Sequence, residues 1–335
     1  MKQTFSQTLL LLTLALATVA VTATSLTIGS AHIPLFRTVA AAFGKSDPIS
    51  NAIIDQIRLP RTLLALIVGG ILGMSGAALQ GYLRNPLAEP STLGLSSCAA
   101  LGGVIALYFG FAATSEWALP LFAIAAAVLG LIVLMALARL SEDAVTLILG
   151  GIAVGTLAGA AISLALNMSS DPFAANEIAF WLLGSVEDRS MQHVLLVLPF
   201  AIAGVTLFLW DGKALDALSL GEETAKSLGF DLRWIEFRLM AAVALAVGAA
   251  VAVAGSIAFV GLVVPHILRP MVGSRASRLL IPSALLGAIL LTASDILVRL
   301  VPTTNELKLG VVTAFLGTPF FLHLLFRMRR FGQTS

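Results

Sequence analysis

Stretches of about twenty apolar residues recur from one end of this chain to the other. That is the length an α-helix needs to cross the hydrocarbon core of a bilayer. In lipid every backbone N–H and C=O must find its partner within the protein, so such a chain folds as a bundle of membrane helices. Only 11% of its 335 residues are charged, against about 25% in an average soluble domain. The pattern predicts an all-α polytopic membrane protein with about ten spans, near 7–28, 62–82, 94–112, 117–138, 146–167, 191–210, 235–254, 257–270, 279–300 and 308–327. The eighth is short, held between Gly255 and Pro265-His266, which leaves open whether it crosses the whole core.

The first run, Phe5 to Ile28, carries Val21-Thr22-Ala23, which has the form of a signal-peptidase site. A signal peptide's apolar region is about 7–15 residues, so this longer run is read as a retained span. An even number of spans puts both termini on one side. With the termini in the cytoplasm, inner segments hold Lys2, Arg84, Arg139, Lys213, Lys226, Arg233, Arg238, Arg269, Arg275, Arg278, Arg327, Arg329 and Arg330. The outer side then holds Arg37, Lys45, Arg58, Arg61, Arg189, Arg299 and Lys308. The excess lies in the direction of the positive-inside rule. Four of the outer charges cluster in residues 29–61, which invites a functional reading.

Small residues recur at helical spacing: Gly69 and Gly73 in the second span, and Gly151, Gly155 and Gly159 in the fifth. Such rows let helix backbones approach closely, either within one subunit or across a subunit interface. Asp295 and Arg299 stand four apart near the outer end of the ninth span and share a helix face. They are either a structural pair or a site where Arg299 is offered outward. The lone Cys98 sits among small residues and reads as packing.

Catalytic readings fare poorly. Gly44-Lys45-Ser46 ends like a phosphate-binding loop, but that loop needs a glycine where Val39 stands. Gly73-Met74-Ser75-Gly76 resembles the serine motif of rhomboid-type intramembrane proteases, with His266 as the base. Ser75, however, lies mid-helix, where its hydroxyl can bond back to a carbonyl one turn earlier. His32, His193, His266 and His323 are scattered, without Cys, Asp or Glu at ligand spacing, so no metal site is expected.

Residues 219–230, in the longest inner loop, form a short amphipathic turn between Gly221 and Gly229. Glu222 and Glu223 are expected to face solvent, and Ala225 is small enough for close approach to a partner. A helix this short needs a protein surface to dock on.

Six segments carry a family resemblance: RLPR at 58–61, LQGYLRNPLAEP at 79–90, LGEETAKSLG at 220–229, VAGSIAFVGLVVPHILR at 253–269, ASDILVRL at 293–300 and LKLGVVTAFLGTPFF at 307–321. Together they resemble the FecCD/BtuC-type permeases, the transmembrane subunits of ATP-driven importers for iron–siderophore, haem and vitamin B12. The resemblance runs from about residue 55 to 327. It implies a single transmembrane permease domain of type II ABC importer architecture in the bacterial inner membrane, paired as a homodimer or close heterodimer. It also implies two ABC ATPase subunits below, which bind ATP and Mg, and a periplasmic substrate-binding protein above. No cofactor, metal or nucleic acid is implied for this chain itself. Arg58, Arg61 and Arg299 resemble the outer arginines that pair with carboxylates of the binding protein. Leu220, Gly221, Glu222, Ala225, Leu228 and Gly229 resemble the coupling helix that seats in the ATPase. Asn85 and Leu87 match the cytoplasmic gate, and Ala144 and Val145 align with its second element.

A large chelate needs a wide, weakly interacting path rather than a tight polar cage, because binding must stay weak for release. The competing reading is an ion-coupled secondary transporter, which usually shows midplane charges or broken helices. The spans lack carboxylates near their centres apart from Asp295 toward one end.

Overall fold

A computed structural model describes residues 7–29, 40, 47–138, 144–273, 275–301 and 306–332, with the side chains of Ala144 and 323–332 left aside. Gly44-Lys45-Ser46, His32, Arg37 and Arg139 fall outside those residues. All the regular structure described is helical. The main helices are α1 (Gln7–Thr27), α2 (Leu59–Tyr82), α3 (Leu95–Tyr108), α4 (Ala118–Ala138), α5 (Ala144–Met168), α6 (Pro172–Leu182), α7 (Met191–Trp210), α8 (Gly212–Leu218), α9 (Glu222–Ser227), α10 (Leu232–Ala254), α11 (Val260–Val272), α12 (Ala276–Leu300) and α13 (Leu309–Gly332).

Among the described residues seven stretches are long and apolar enough to cross a membrane: α1, the continuous helix Pro48–Tyr82 that contains α2, α4, α5, α7, α10 and α12. Three shorter apolar helices, α3, α11 and α13, occupy the other expected spans. The expected third span, 94–112, is cut short: α3 stops at Tyr108, and Gly110 takes a left-handed conformation at φ 71°. The eighth is also short. The 13 residues of α11 cover about 20 Å at 1.5 Å each, less than the roughly 30 Å hydrocarbon core. The chain reaches α11 through non-helical backbone at Gly255–Phe259, where Gly255 and Phe259 both have φ 69°.

Burial sorts the helices. The apolar windows of the α2 helix and of α10 are 78% buried, whereas that of α1 is 17% buried. The first two therefore form the middle of the subunit. α1, α4, α5 and α7 turn much of their surface outward, toward lipid or another protein.

The most extensive seam is α2 against α12. A Cβ on Gly69 would lie 2.3 Å from the Gly287 carbonyl oxygen, and one on Gly73 would lie 2.2 Å from that of Ser283. Only hydrogen fits there, so the Gly69-x-x-x-Gly73 row holds one subunit together. Gly151 and Gly155 of α5 abut the Leu93–Gly94 backbone, while Gly159 faces open space. Cys98 packs against Gly130 of α4, as its context implied.

Candidate functional site

At the end of the bundle where α2 finishes, the chain leaves the helix through Arg84 at φ 50°. The next residues form a tight turn. Asn85 Oδ1 accepts from the Leu87 N–H at 2.9 Å, and the Ala88 N–H donates to the Asn85 carbonyl at 3.1 Å. Asn85 and Leu87 are half-buried. The turn feeds a short 3-10 helix, Pro90–Leu93, which packs on α5. Ala144 opens α5, and Val145 beside it is 64% exposed.

The segment 219–230 lies at this same end. Gly221 (φ 111°) and Gly229 (φ 87°) bracket α9 in backbone conformations that favour glycine. Leu220 and Leu228 are 69% and 61% exposed. Glu223 is open to solvent and meets Lys226 at 3.2 Å. Ala225 departs from expectation. It is fully buried, facing its own subunit rather than a partner. Alanine is required there because α9 lies on the core formed with α8 and α10. Glu222 is half-exposed and bonds Arg84 at 2.7 Å. Sequence spacing gave no hint of that pair.

At the opposite end, where α2 begins, three arginines converge. Arg61 Nε donates to Asp295 Oδ1 at 2.9 Å, and Nη1 donates to Glu306 Oε2 at 3.2 Å. Arg299 Nε donates to Asp295 Oδ2 at 2.9 Å, so Asp295 is shared. Arg299 Nη1 also donates to the carbonyls of Ser25 and Ile28, at 2.9 and 3.0 Å. Arg58 Nη1 donates to those of Leu26 and Thr27, both at 2.9 Å. The last carbonyls of a helix lack partners within it and carry its negative dipole end. Two guanidinium groups satisfy them for α1.

This corrects the expectation that Arg58, Arg61 and Arg299 stand outward. Arg58 and Arg61 are buried, and the Arg299 side chain is 6% exposed. The Asp295–Arg299 helical pair is present, as their spacing allowed. Glu306, 245 positions from Arg61, was not legible as a member. Nearby, Lys308 bonds Glu187 at 2.9 Å. Burial would raise the Glu187 carboxyl, but bonds with Glu306 and Lys308 hold it below the usual range.

Between the two ends lies a cleft. Glu89, Ser91 and Ser96 line one side, and Ser256, Phe259 and Gly261 at the break before α11 line the other. Irregular backbone at such depth is tolerated where it is buried in protein or borders a cavity. Glu89 accepts from the Ser91 hydroxyl and from the Phe259 N–H. Burial pushes its carboxyl above the usual range, against the pull of those two bonds. Sequence reading passed over Glu89 as part of a polar turn.

The protease reading fails on local geometry. The Ser75 hydroxyl is fully buried and donates to the Leu72 carbonyl at 3.0 Å. His266 packs edge-on against Phe320. Among the described residues no three His, Cys, Asp or Glu gather as a metal site.

The described residues form an all-helical bundle in which seven stretches are long and apolar enough to cross a membrane. Its family is settled by comparison. The chain belongs to the FecCD transport family, which it matches over residues 16–327. It is 40% identical over 319 residues to the uncharacterized ABC transporter permease protein YvrB of Bacillus subtilis (strain 168), covering 91% of this chain and 90% of that one. It is 42% identical over 291 residues to the vitamin B12 import system permease protein BtuC of Vibrio cholerae, covering 85% and 86%. A solved structure described as an inward-facing conformation of a transporter of metal-chelate ABC type superposes with a TM-score of 0.85 at 32% identity, covering 95% and 98%. The chain is thus the permease subunit of an ABC importer, a multi-pass membrane protein whose ATPase is a separate subunit.

The secondary-transporter reading asked for a broken helix, and Gly255–Phe259 is one. The family match decides against that reading.

Proposed function

We propose that this permease moves a metal chelate (cobalamin, a ferric siderophore or haem) from periplasm to cytoplasm as one half of a homodimer. The observation that carries this reading is the near full-length similarity to a vitamin B12 permease together with the superposition on a metal-chelate transporter. The Arg84 end faces the cytoplasm in this reading, in the direction of the charge bias. The inner membrane is its site, and both termini are cytoplasmic. ATP and Mg act only on the partner ATPase.

Within this scheme α9 with Leu220, Gly221, Glu222, Leu228 and Gly229 seats in the ATPase. The exposed leucines supply the apolar contact, and Ala225 keeps α9 in place from behind. Asn85 and Leu87, with Ala144 and Val145, form the cytoplasmic gate. The binding protein docks over the Arg58–Arg61–Arg299 end. Because these arginines are already engaged, docking through them means exchanging Asp295, Glu306 or α1 carbonyls for the partner's carboxylates.

The test is direct. The cognate binding protein is titrated with cyanocobalamin, ferric siderophores and haem, and the ligand it retains is then followed into proteoliposomes holding the permease and its ATPase. ATP-dependent uptake of that ligand is the expected result. Retention of none of them, or uptake driven by an ion gradient without ATP, overturns the reading.

A further inference from the structure

The end of α2 is tied to two other elements through side chains one turn apart. The Gln80 amide N–H lies 3.4 Å from the carbonyls of Gly261 and Leu262 on α11, and its oxygen accepts from Arg269 Nη2 at 2.9 Å. One turn further on, Arg84 Nη2 donates to Glu222 Oε1 at 2.7 Å. Glu222 is the first residue of α9. Two segments 138 positions apart are thereby joined.

The backbone at Arg84 makes this pairing more than surface decoration. At φ 50° Arg84 sits in the left-handed region just past a helix end, where glycine or asparagine is usual and a larger side chain is disfavoured. Glycine would relieve the backbone but could not reach α9. The next residues cannot move independently, because the Asn85 side chain is locked onto the Leu87 N–H. α9 is equally fixed as a unit, with Ala225 fully buried beneath it. Arg84 and Glu222 are half-exposed, so their attraction adds little to stability. Its effect is on relative placement.

We propose that the Arg84–Glu222 ion pair is a positioning link that makes the Asn85–Leu87 turn follow α9. Movement imposed on α9 is delivered to the turn without passing through the membrane core. This rests on the reading of α9 as the ATPase contact and of Leu87 as part of the gate.

The test needs no knowledge of the cargo. In the permease–ATPase complex carrying Cys98→Ala and Leu87→Cys, the rate of labelling by a water-soluble maleimide is measured with and without ATP and vanadate. ATP is expected to change that rate. Adding Arg84→Gly, which removes backbone strain along with the side chain, is expected to shrink the ATP response roughly two- to fivefold. Glu222→Gln, compared at equal amounts of bound ATPase, is expected to do the same. The double swap Arg84→Glu with Glu222→Arg is expected to restore the response. An ATP response that survives both single changes, or is not regained in the swap, overturns the link. A parent complex that binds ATPase yet shows no ATP response removes Leu87 from the gate, and the link with it. A parent complex that binds no ATPase overturns the underlying reading instead.

Discussion

Asp295 is 1% exposed and accepts from Arg61 and Arg299 together. Removing one partner of a buried pair leaves a charge without compensation, at a cost of about 3–5 kcal/mol. Asp295→Asn should therefore lower the unfolding temperature of the purified subunit markedly. Arg61→Glu should do the same by setting a third carboxylate against Asp295 and Glu306. If either variant matches the parent in a thermal-shift assay, the node is not structural. Glu89 makes the opposite case. Its raised carboxyl means that the folded state holds the proton more tightly than the unfolded chain. Its charge costs stability at neutral pH, and that cost fades as pH falls toward the raised value. Glu89→Gln keeps an acceptor for the Phe259 N–H and never carries the charge. The variant should be the more stable at pH 7, and its advantage should shrink as the pH is lowered. An advantage that does not change with pH would show that Glu89 is not the titrating group.

At the scale of elements, α9 separates what faces a partner from what faces the subunit. Ala225→Arg would drive a charged side chain into a fully buried position, so it should damage the local fold before it disturbs docking. Leu228→Asp changes an exposed residue. It should leave a monodisperse, membrane-inserted protein that no longer retains the ATPase through purification. Retention at the parent's yield would move the contact elsewhere. The glycine brackets of this segment were readable from sequence because only turn-forming conformations ask for them. The direction Ala225 faces was not, since an alanine is equally at home against its own core or against a neighbour. The long apolar segments were legible for a similar reason: hydrophobic length is a property of each stretch alone. The unwound entrance to α11 was not, because Gly255 lies against the Trp181 carbonyl and the Gly184 backbone, contacts that no local pattern reports. The outer arginines were noticed for their charge, but their partners lie on α1, α12 and residue 306, and no local pattern reports a pairing across such distances.

For the whole molecule, the α2–α12 seam governs how the parts can move. Gly73→Val would force a branched side chain where a single Cβ already stands 2.2 Å from a carbonyl oxygen. Overpacking of this kind should split the seam, and the yield of folded protein in detergent should drop sharply. A normal yield with an unchanged melting temperature would mean that the two helices can part freely. The Arg61–Asp295–Arg299 node sits at one end of this seam, and Arg84 sits just beyond the other. The 24 residues of α2 make a rod about 36 Å long. Two rods meshed without room for a methyl cannot slide past each other, so they tilt together or not at all. A push at one face of the membrane then reaches the other as the swing of a stiff lever, with no chain of side-chain rearrangements in between.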